Sequence, residues 1–417
     1  MMIKSQLKKN IYTYYVSLVL LTIAISLPHA VLTVLLLSKG ITLSQIMMIQ
    51  AGYSFAVFIS EYPSGLIADI YSKKIVFIFS NLFLLLMFCL VISMNNFWML
   101  FIAWFMYGIS SALETGTLEA EIINQLKLSK MQIDKFISNS NRLNFIALLI
   151  GSSVGSFIYY AIGIKLYWIS IILTIMSIIC VGIFFKGEKV EKTKIYLFEI
   201  FRKMLVQSKE GIQEIKQKES LKLMIALTFV GQFFFQTHFQ LWQALFLSKG
   251  INKHNFYIFY IIFQILSIIA YSIQVSKISK RKLGRSFSIL AVMLILSLFL
   301  LKTTNNILFV FIYVTWVFVF TVFDFINNYI FAKDVSKDRI SSLTSLKSSC
   351  GRVGSLLCLV ESGVILKLTN VSNIVVINFA FAMLLSMIIV KKYLMSSKNS
   401  ALSSFKYHEQ STNTWAE

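Results

Sequence analysis

The sequence predicts an all-α integral membrane protein of twelve transmembrane helices arranged as two six-helix halves. Three observations predict it. Of the 417 residues 57 % are apolar and only 14 % charged, against about 25 % charged in an ordinary soluble domain. Apolar runs of about 20 residues, the length that crosses a bilayer, recur along nearly the whole chain. The chain also repeats itself. Leu37-Ser38-Lys39-Gly40-Ile41 returns as Leu247-Ser248-Lys249-Gly250-Ile251, an offset of 210 that also carries Arg142 onto Arg352 and Glu114 onto Asp324. Parallel repeats of this kind are known in membrane proteins whose halves rock about a site at mid-membrane.

The apolar stretches fall at 12–37, 42–67, 75–94, 97–118, 142–162, 166–185, 221–246, 254–275, 286–302, 306–330, 343–366 and 371–390. Lys4, Lys8 and Lys9 precede the first, as in a signal peptide. That run is too long for a signal h-region and lacks a small-residue cleavage site, so it reads as span one. The first half is then 1–185 and the second 221–393, joined by a basic linker at 186–220. Leu197, Phe201, Met204, Leu205, Ile212 and Ile215 recur in the linker at roughly helical spacing. They suit either an amphipathic surface helix or a solvated connection. The Ser-rich tail, 394–417, reads as disordered.

The formal net charge of +21 suggests nucleic acid until the charges are mapped. Six lysines (Lys39, Lys165, Lys249, Lys253, Lys302 and Lys367) lie on one side of the spans, and the rest of the 39 basic residues fall on the other. The positive-inside rule therefore places both termini in the cytoplasm. The charges follow alternate loops rather than one face, which excludes nucleic acid as a partner. Cys89, Cys180, Cys350 and Cys358 sit in or beside apolar runs without metal spacing, so neither disulfide nor metal is expected.

The second stretch reads Glu61-Tyr62-Pro63-Ser64-Gly65-Leu66-Ile67-Ala68-Asp69, followed by Ser72-Lys73-Lys74. It resembles the G-x-L-A-D-x-x-G-R-K loop of the major facilitator superfamily. The preceding E-x-P-S-G is similar to the E-x-P-T-G extension of its drug-efflux-like twelve-span branch. One departure is Ser72-Lys73-Lys74 in place of G-R-K, since lysine lacks the bidentate fork of arginine. The resemblance implies the major facilitator fold, an inner gate held by Asp69, and a central cavity lined by spans one, four, seven and ten. Glu61, Gly65, Asp69, Lys73, Lys74, Arg142 and Arg352 are the gate candidates, although Arg142 and Arg352 suit snorkelling toward lipid phosphate equally well.

Glu61, Glu114, Asp324 and Glu361 lie in or near spans. An ionisable group in hydrocarbon normally faces a cavity or a partner. Glu114 and Asp324 are repeat equivalents in spans four and ten, and are the proton-coupling candidates. Gln232, Gln236, Gln240 and Gln243 form a stripe in span seven, and Thr22, Ser26, His29 and Thr33 occupy similar places in span one. The stripes read as cavity lining, together with Trp316, or as interhelical hydrogen bonding. Gly151-Ser152-Ser153-Val154-Gly155 is a small-xxx-small packing motif.

These readings point to a secondary active transporter and away from an enzyme. Neither an ATP-binding loop nor a paired His–acid site is visible. The expected activity is proton-coupled export of a small amphipathic or drug-like compound by a monomer without cofactor. Its partners are that compound, protons and the lipid bilayer. Proton-symport uptake and a transporter-like sensor are the alternatives. The Ile-, Lys- and Asn-rich composition points to a bacterial inner membrane.

Overall fold

The computed structural model describes residues 2–115, 117–129, 132–187, 213–273, 280–335 and 340–413, with 2–5, 62–63, 65–70, 280–288, 302, 340–342 and 396–413 described by backbone alone. Every regular element among them is helical. In chain order they are α1 (Met2–Ser26), α2 (Leu32–Ser38), α3 (Leu43–Ile70), α4 (Lys73–Ser93), α5 (Phe97–Glu114), α6 (Leu118–Leu128) and α7 (Ile133–Ile162). Then follow α8 (Leu166–Phe184), α9 (Glu219–Ser248), α10 (Phe256–Tyr271), α11 (Lys280–Ser297), α12 (Asn306–Asp334), α13 (Ile340–Ile365) and α14 (Val371–Asn413). Most of the linker, 188–212, lies outside the described residues, and with it most of the amphipathic stripe. Helix α14 continues to Asn413.

Local chemistry sets the helix ends. The Asn96 side chain accepts a hydrogen bond from the Trp98 amide at the start of α5, and Asn305 accepts from Ile307 and Leu308 at the start of α12. Each satisfies donors that a helix N-terminus leaves orphaned. The repeated Leu-Ser-Lys-Gly-Ile is a helix stop. Gly40 and Gly250 take φ of 80° and 74°, a region glycine enters at little cost. Ile41 N donates to Leu36 O at 3.2 Å and Gly40 N to Leu37 O at 3.0 Å. Ile251 N and Gly250 N bond Phe246 O and Leu247 O in the same way, at 3.1 and 2.9 Å. Both turns are Schellman caps, and each serine hydroxyl bonds the carbonyl three residues back at 2.7 Å.

Seven described stretches are long and apolar enough to cross a membrane: Leu43–Glu61, Lys73–Ser93, Phe97–Leu128, Ile133–Phe184, Lys253–Tyr271, Asn306–Asp334 and Val371–Met395. Ile133–Phe184 holds both α7 and α8, joined by the short 3-10 turn Gly163–Lys165. Helices α1, α9 and α13 are as long but interleave polar residues, such as the four glutamines of α9, and are not among the seven. The apolar part of α11 is shorter, Ile289–Leu301.

The chain separates into two compact units. The first unit comprises Met1–Phe201, Gln240–Gln264 and Leu359–Thr369; the second comprises Arg202–Phe239, Ile265–Cys358 and Asn370–Glu417. In the first unit α3 packs along α5, α4 along α5 and α8, and α1 along α7 and α8. Leu84, Phe88, Trp104, Tyr167 and Phe185 lie at its buried core. In the second, Phe234 stacks on Phe320 with ring centroids 3.9 Å apart, and Trp316 and Phe379 close the same aromatic block.

The close approach of α1 to its neighbours depends on small side chains. Ser17 and Ser177 hydroxyls pair at 2.7 Å, and the Ser170 hydroxyl donates to Ala24 O at 2.7 Å. A Cβ at Gly151 would strike the Ser26 hydroxyl, and one at Gly155 the Leu27 backbone. The small-xxx-small stripe is therefore what seats α7 on α1. Gly155→Ala should lower the stability of the detergent-solubilised protein by about 1–3 kcal/mol, read as a fall in its thermal unfolding midpoint. An unchanged midpoint would show that α7 can move away without loss.

Candidate functional site

A cavity of about 290 Å³ opens in the first unit, lined by α1, α4, α5, the following turn and α6. Tyr14, Ser17, Leu18 and Leu21 come from α1, Phe77 from α4, Ser111 and Glu114 from α5, and Thr115, Thr117, Leu118 and Glu119 follow. No lysine or arginine is in this wall. The turn after α5 wraps around the end of the helix. Thr115 Oγ1 donates to Ser111 O at 2.9 Å, and Thr117 Oγ1 and N donate to Glu114 O at 2.8 and 3.2 Å. With those carbonyls occupied, the Glu114 side chain stands in the cavity wall, half-buried. Among the described residues it has no ion pair or side-chain hydrogen bond, while Tyr14 and Tyr107 lie within electrostatic reach of it. Glu119 opens α6, where the helix dipole favours an acid.

A second polar region of the same unit lies between α1 and α2, where residues 27–31 interrupt the helix. The residue preceding α2, Val31, offers no side-chain cap. Gln243 of α9 supplies one from elsewhere in the chain. Its Oε1 accepts from Thr33 N at 3.0 Å and Val34 N at 3.3 Å, and its Nε2 donates to His29 O at 3.1 Å. The Thr33 hydroxyl donates to Gln240 O at 3.2 Å. Thr33 and Gln243 are separated by 210 residues, the offset of the sequence repeat. The seam continues through His29 Nδ1 and Tyr260 Oη at 3.4 Å, Tyr160 Oη donating to Lys253 O at 2.7 Å, and Ser44 donating to Gly363 O.

In the second unit Asp324 projects from α12 and accepts from Asn328 Nδ2 at 2.9 Å. Asn328 Oδ1 accepts in turn from the Lys347 ammonium of α13. Lys347 is only 5 % exposed, and its Nζ lies 4.5 Å from the centre of the Phe331 ring. Beside this chain, Asn327 Nδ2 donates to Thr228 Oγ1 at 2.9 Å.

The structure distributes the other expected site residues unevenly. Gln232 and Gln236 are half-buried and bonded to each other at 3.2 Å. Thr22 donates to Asn144 Oδ1 at 2.7 Å, and Gln240 contributes its carbonyl to the seam. Ser26, Gln243 and Trp316 are fully buried. Ser26 fills the space beneath Gly151, Gln243 caps α2, and Trp316 stacks in the aromatic block with Nε1 donating to Ser297 Oγ at 3.0 Å.

The gate candidates scatter likewise. Lys74 donates to Gly182 O and Phe185 O at 2.7 and 2.9 Å, so its ammonium caps the C-terminus of α8, where the dipole favours a cation. Lys73 opens α4, Glu61 is half-buried in α3, and Arg142 is exposed on α7. Arg352 is half-buried in α13, and its buried Nε finds no acceptor among the described residues. Gly65 and Asp69 belong to α3 by backbone, and their side chains lie outside the described residues.

Sequence reasoning did not single out Lys347. Its signal was position, since it lies inside the apolar stretch 343–366, only five residues before Arg352.

The sequence profile of the Major Facilitator Superfamily matches residues 14–359. The chain belongs to the major facilitator superfamily. It is thus a multi-pass membrane transporter acting on small molecules, not an enzyme. Solved structures of several transporters share its fold at low identity. A mutant of the nucleoside transporter NupG aligns at 14 % identity over 92 % of this chain and 99 % of that one, with a TM-score of 0.75. The POT family transporter PepTSo aligns at 11 % over 93 % and 98 %, with a TM-score of 0.67. The human organic anion transporter MFSD10 aligns at 12 % over 92 % and 99 %, with a TM-score of 0.61. Comparison with curated proteins by sequence gives no match.

The Gln243 amide is the most heavily used polar side chain of the seam. Gln243→Leu removes three hydrogen bonds and leaves Thr33 N and Val34 N without acceptors, a change expected to cost about 2–4 kcal/mol. Chemical unfolding followed by tryptophan fluorescence reads it. Wild-type stability in the variant would mean that water or another group caps α2.

Proposed function

We propose that this transporter exports a small amphipathic or drug-like compound in exchange for protons, by alternating access. On this reading it is a twelve-span protein of two six-helix halves with both termini in the cytoplasm. The observation that carries it is the Glu114 carboxylate, half-buried in a cavity wall without a basic residue and without an ion pair among the described residues. A carboxylate so situated has two ways to lose its exposed charge, a bound proton or a ligand's polar end. The two compete for one group, and that competition is the core of an exchange cycle. Protonation neutralises Glu114 and releases the compound; loss of the proton on the other side restores the charge for the next one.

Other features support the same reading. The cavity combines Leu18, Leu21, Phe77 and Leu118 with the hydroxyls of Ser17, Ser111, Thr115 and Thr117, a mixture suited to an amphipathic ligand. The Glu61-Tyr62-Pro63-Ser64-Gly65 stretch resembles that of the drug-efflux-like branch. The offset of 210 and the loop charges support the paired halves and their orientation. Asp69, with Glu61, Gly65, Lys73, Lys74, Arg142 and Arg352, belongs on this reading to the inner gate.

The test uses purified protein in liposomes that carry an internal pH dye, with ethidium and a panel of other amphipathic compounds added under an imposed proton gradient. Wild type should give compound-dependent proton flux, and Glu114→Gln should reduce it to the level of protein-free liposomes. Protons and compound moving in the same direction would make the protein a symporter. Flux that survives intact in Glu114→Gln would remove this residue as the coupling group.

A further inference from the structure

Glu114 and Asp324 occupy equivalent places in the repeat, yet their surroundings differ in kind. Asn328 is bonded at both ends, its Nδ2 donating to Asp324 Oδ2 and its Oδ1 accepting from Lys347 Nζ. The amide dipole is therefore aligned between an anion and a cation that do not touch. Lys347 is almost wholly buried. A buried ammonium is costly unless charges and hydrogen bonds offset the burial, and Asp324, Asn328 and the face of Phe331 supply part of that offset here. The same offset of 210 takes Asn328 to Leu118 and Lys347 to Ile137. The first half thus carries apolar residues where the second carries the bridge and the cation.

We propose that Lys347 is the internal counter-cation of Asp324, joined to it through Asn328, and that it keeps Asp324 ionised throughout the transport cycle. The two repeat-equivalent acids then have divided roles. Glu114 exchanges protons, and Asp324 anchors α13 to α12 as a permanently charged end of a fixed chain. This assignment rests on the proton-coupled reading for what Glu114 does, but the part concerning Lys347 is separately testable. Lys347 is a positioning residue in this scheme, acting on the carboxylate through the amide. Among the described groups, those that bear electrostatically on Asp324 are Lys347 from α13 and Tyr271 at the end of α10. Tyr271 is neutral near pH 7, so Lys347 supplies the balancing charge.

Infrared pH titration of the full chain in lipid vesicles, which follows the carbonyl band of protonated carboxyl groups, tests this without a substrate. Asp324→Asn should leave the titrating carboxyl signal of the wild type unchanged. Lys347→Met should add a titrating carboxyl, and the double variant Asp324→Asn/Lys347→Met should lose it again. Loss of a titrating signal in Asp324→Asn alone would overturn the proposal, as would a Lys347→Met variant that gains none. Melting temperatures keep the test decisive if Lys347→Met folds poorly. The double variant should melt well above Lys347→Met, whereas equal or additive losses would overturn the counter-cation role. Failure of the proton-coupled reading has a different signature: Glu114→Gln would leave proton flux intact while the Lys347 results stood.

Discussion

A polar group shielded from water must find its partner within the protein, and the break between α1 and α2 is where that constraint bears hardest. Residues 27–31 end one helix and begin another without a capping side chain of their own. The amide of Gln243, far along the chain, accepts from two backbone N–H groups of α2 and donates to the His29 carbonyl just before it. Once the break is held, the course of α1 is set. The serine pairings with α8 and the seating of α7 at Gly151 and Gly155 then follow along the same helix. The cavity around Glu114, with α1 as one wall, inherits its shape from this packing.

The same constraint explains why two equivalent acids differ. Asp324 has an amide at hydrogen-bond distance and a buried ammonium beyond it; Glu114 has hydroxyls, tyrosines and apolar side chains around a cavity. A carboxylate with a fixed counter-charge is a structural element. One without such a partner among the described residues is available to a proton or a ligand. The difference arises from neighbours contributed by other helices, which a repeat in the sequence does not preserve.

Much of the fold was legible from local chemistry. The Leu-Ser-Lys-Gly-Ile segments, read from the sequence only as a repeat, form two Schellman caps, and the glycines of the small-xxx-small stripe proved to be sites of close helix approach. Both depend on residues a few positions apart, so the sequence contains the whole cause. The glutamine stripe of α9 was legible as a stripe but not as a set of roles. Gln232 and Gln236 bond each other, whereas Gln243 is buried against α2. The cap that the Lys74 ammonium forms on the last carbonyls of α8 was likewise not legible from spacing.

The sequence by itself determined the membrane class and the all-helical content, because composition and short-range spacing are sufficient causes for both, while the superfamily was legible through the resemblance of one motif. Tertiary structure alone decided which polar residues are structural and which are exposed to a cavity. Helical periodicity assigns a side chain to a face, but the partner of that face comes from a segment far away in the chain. For Gln243, Trp316 and Lys347 that partner decides whether the side chain is a cap, a packing element or a counter-ion.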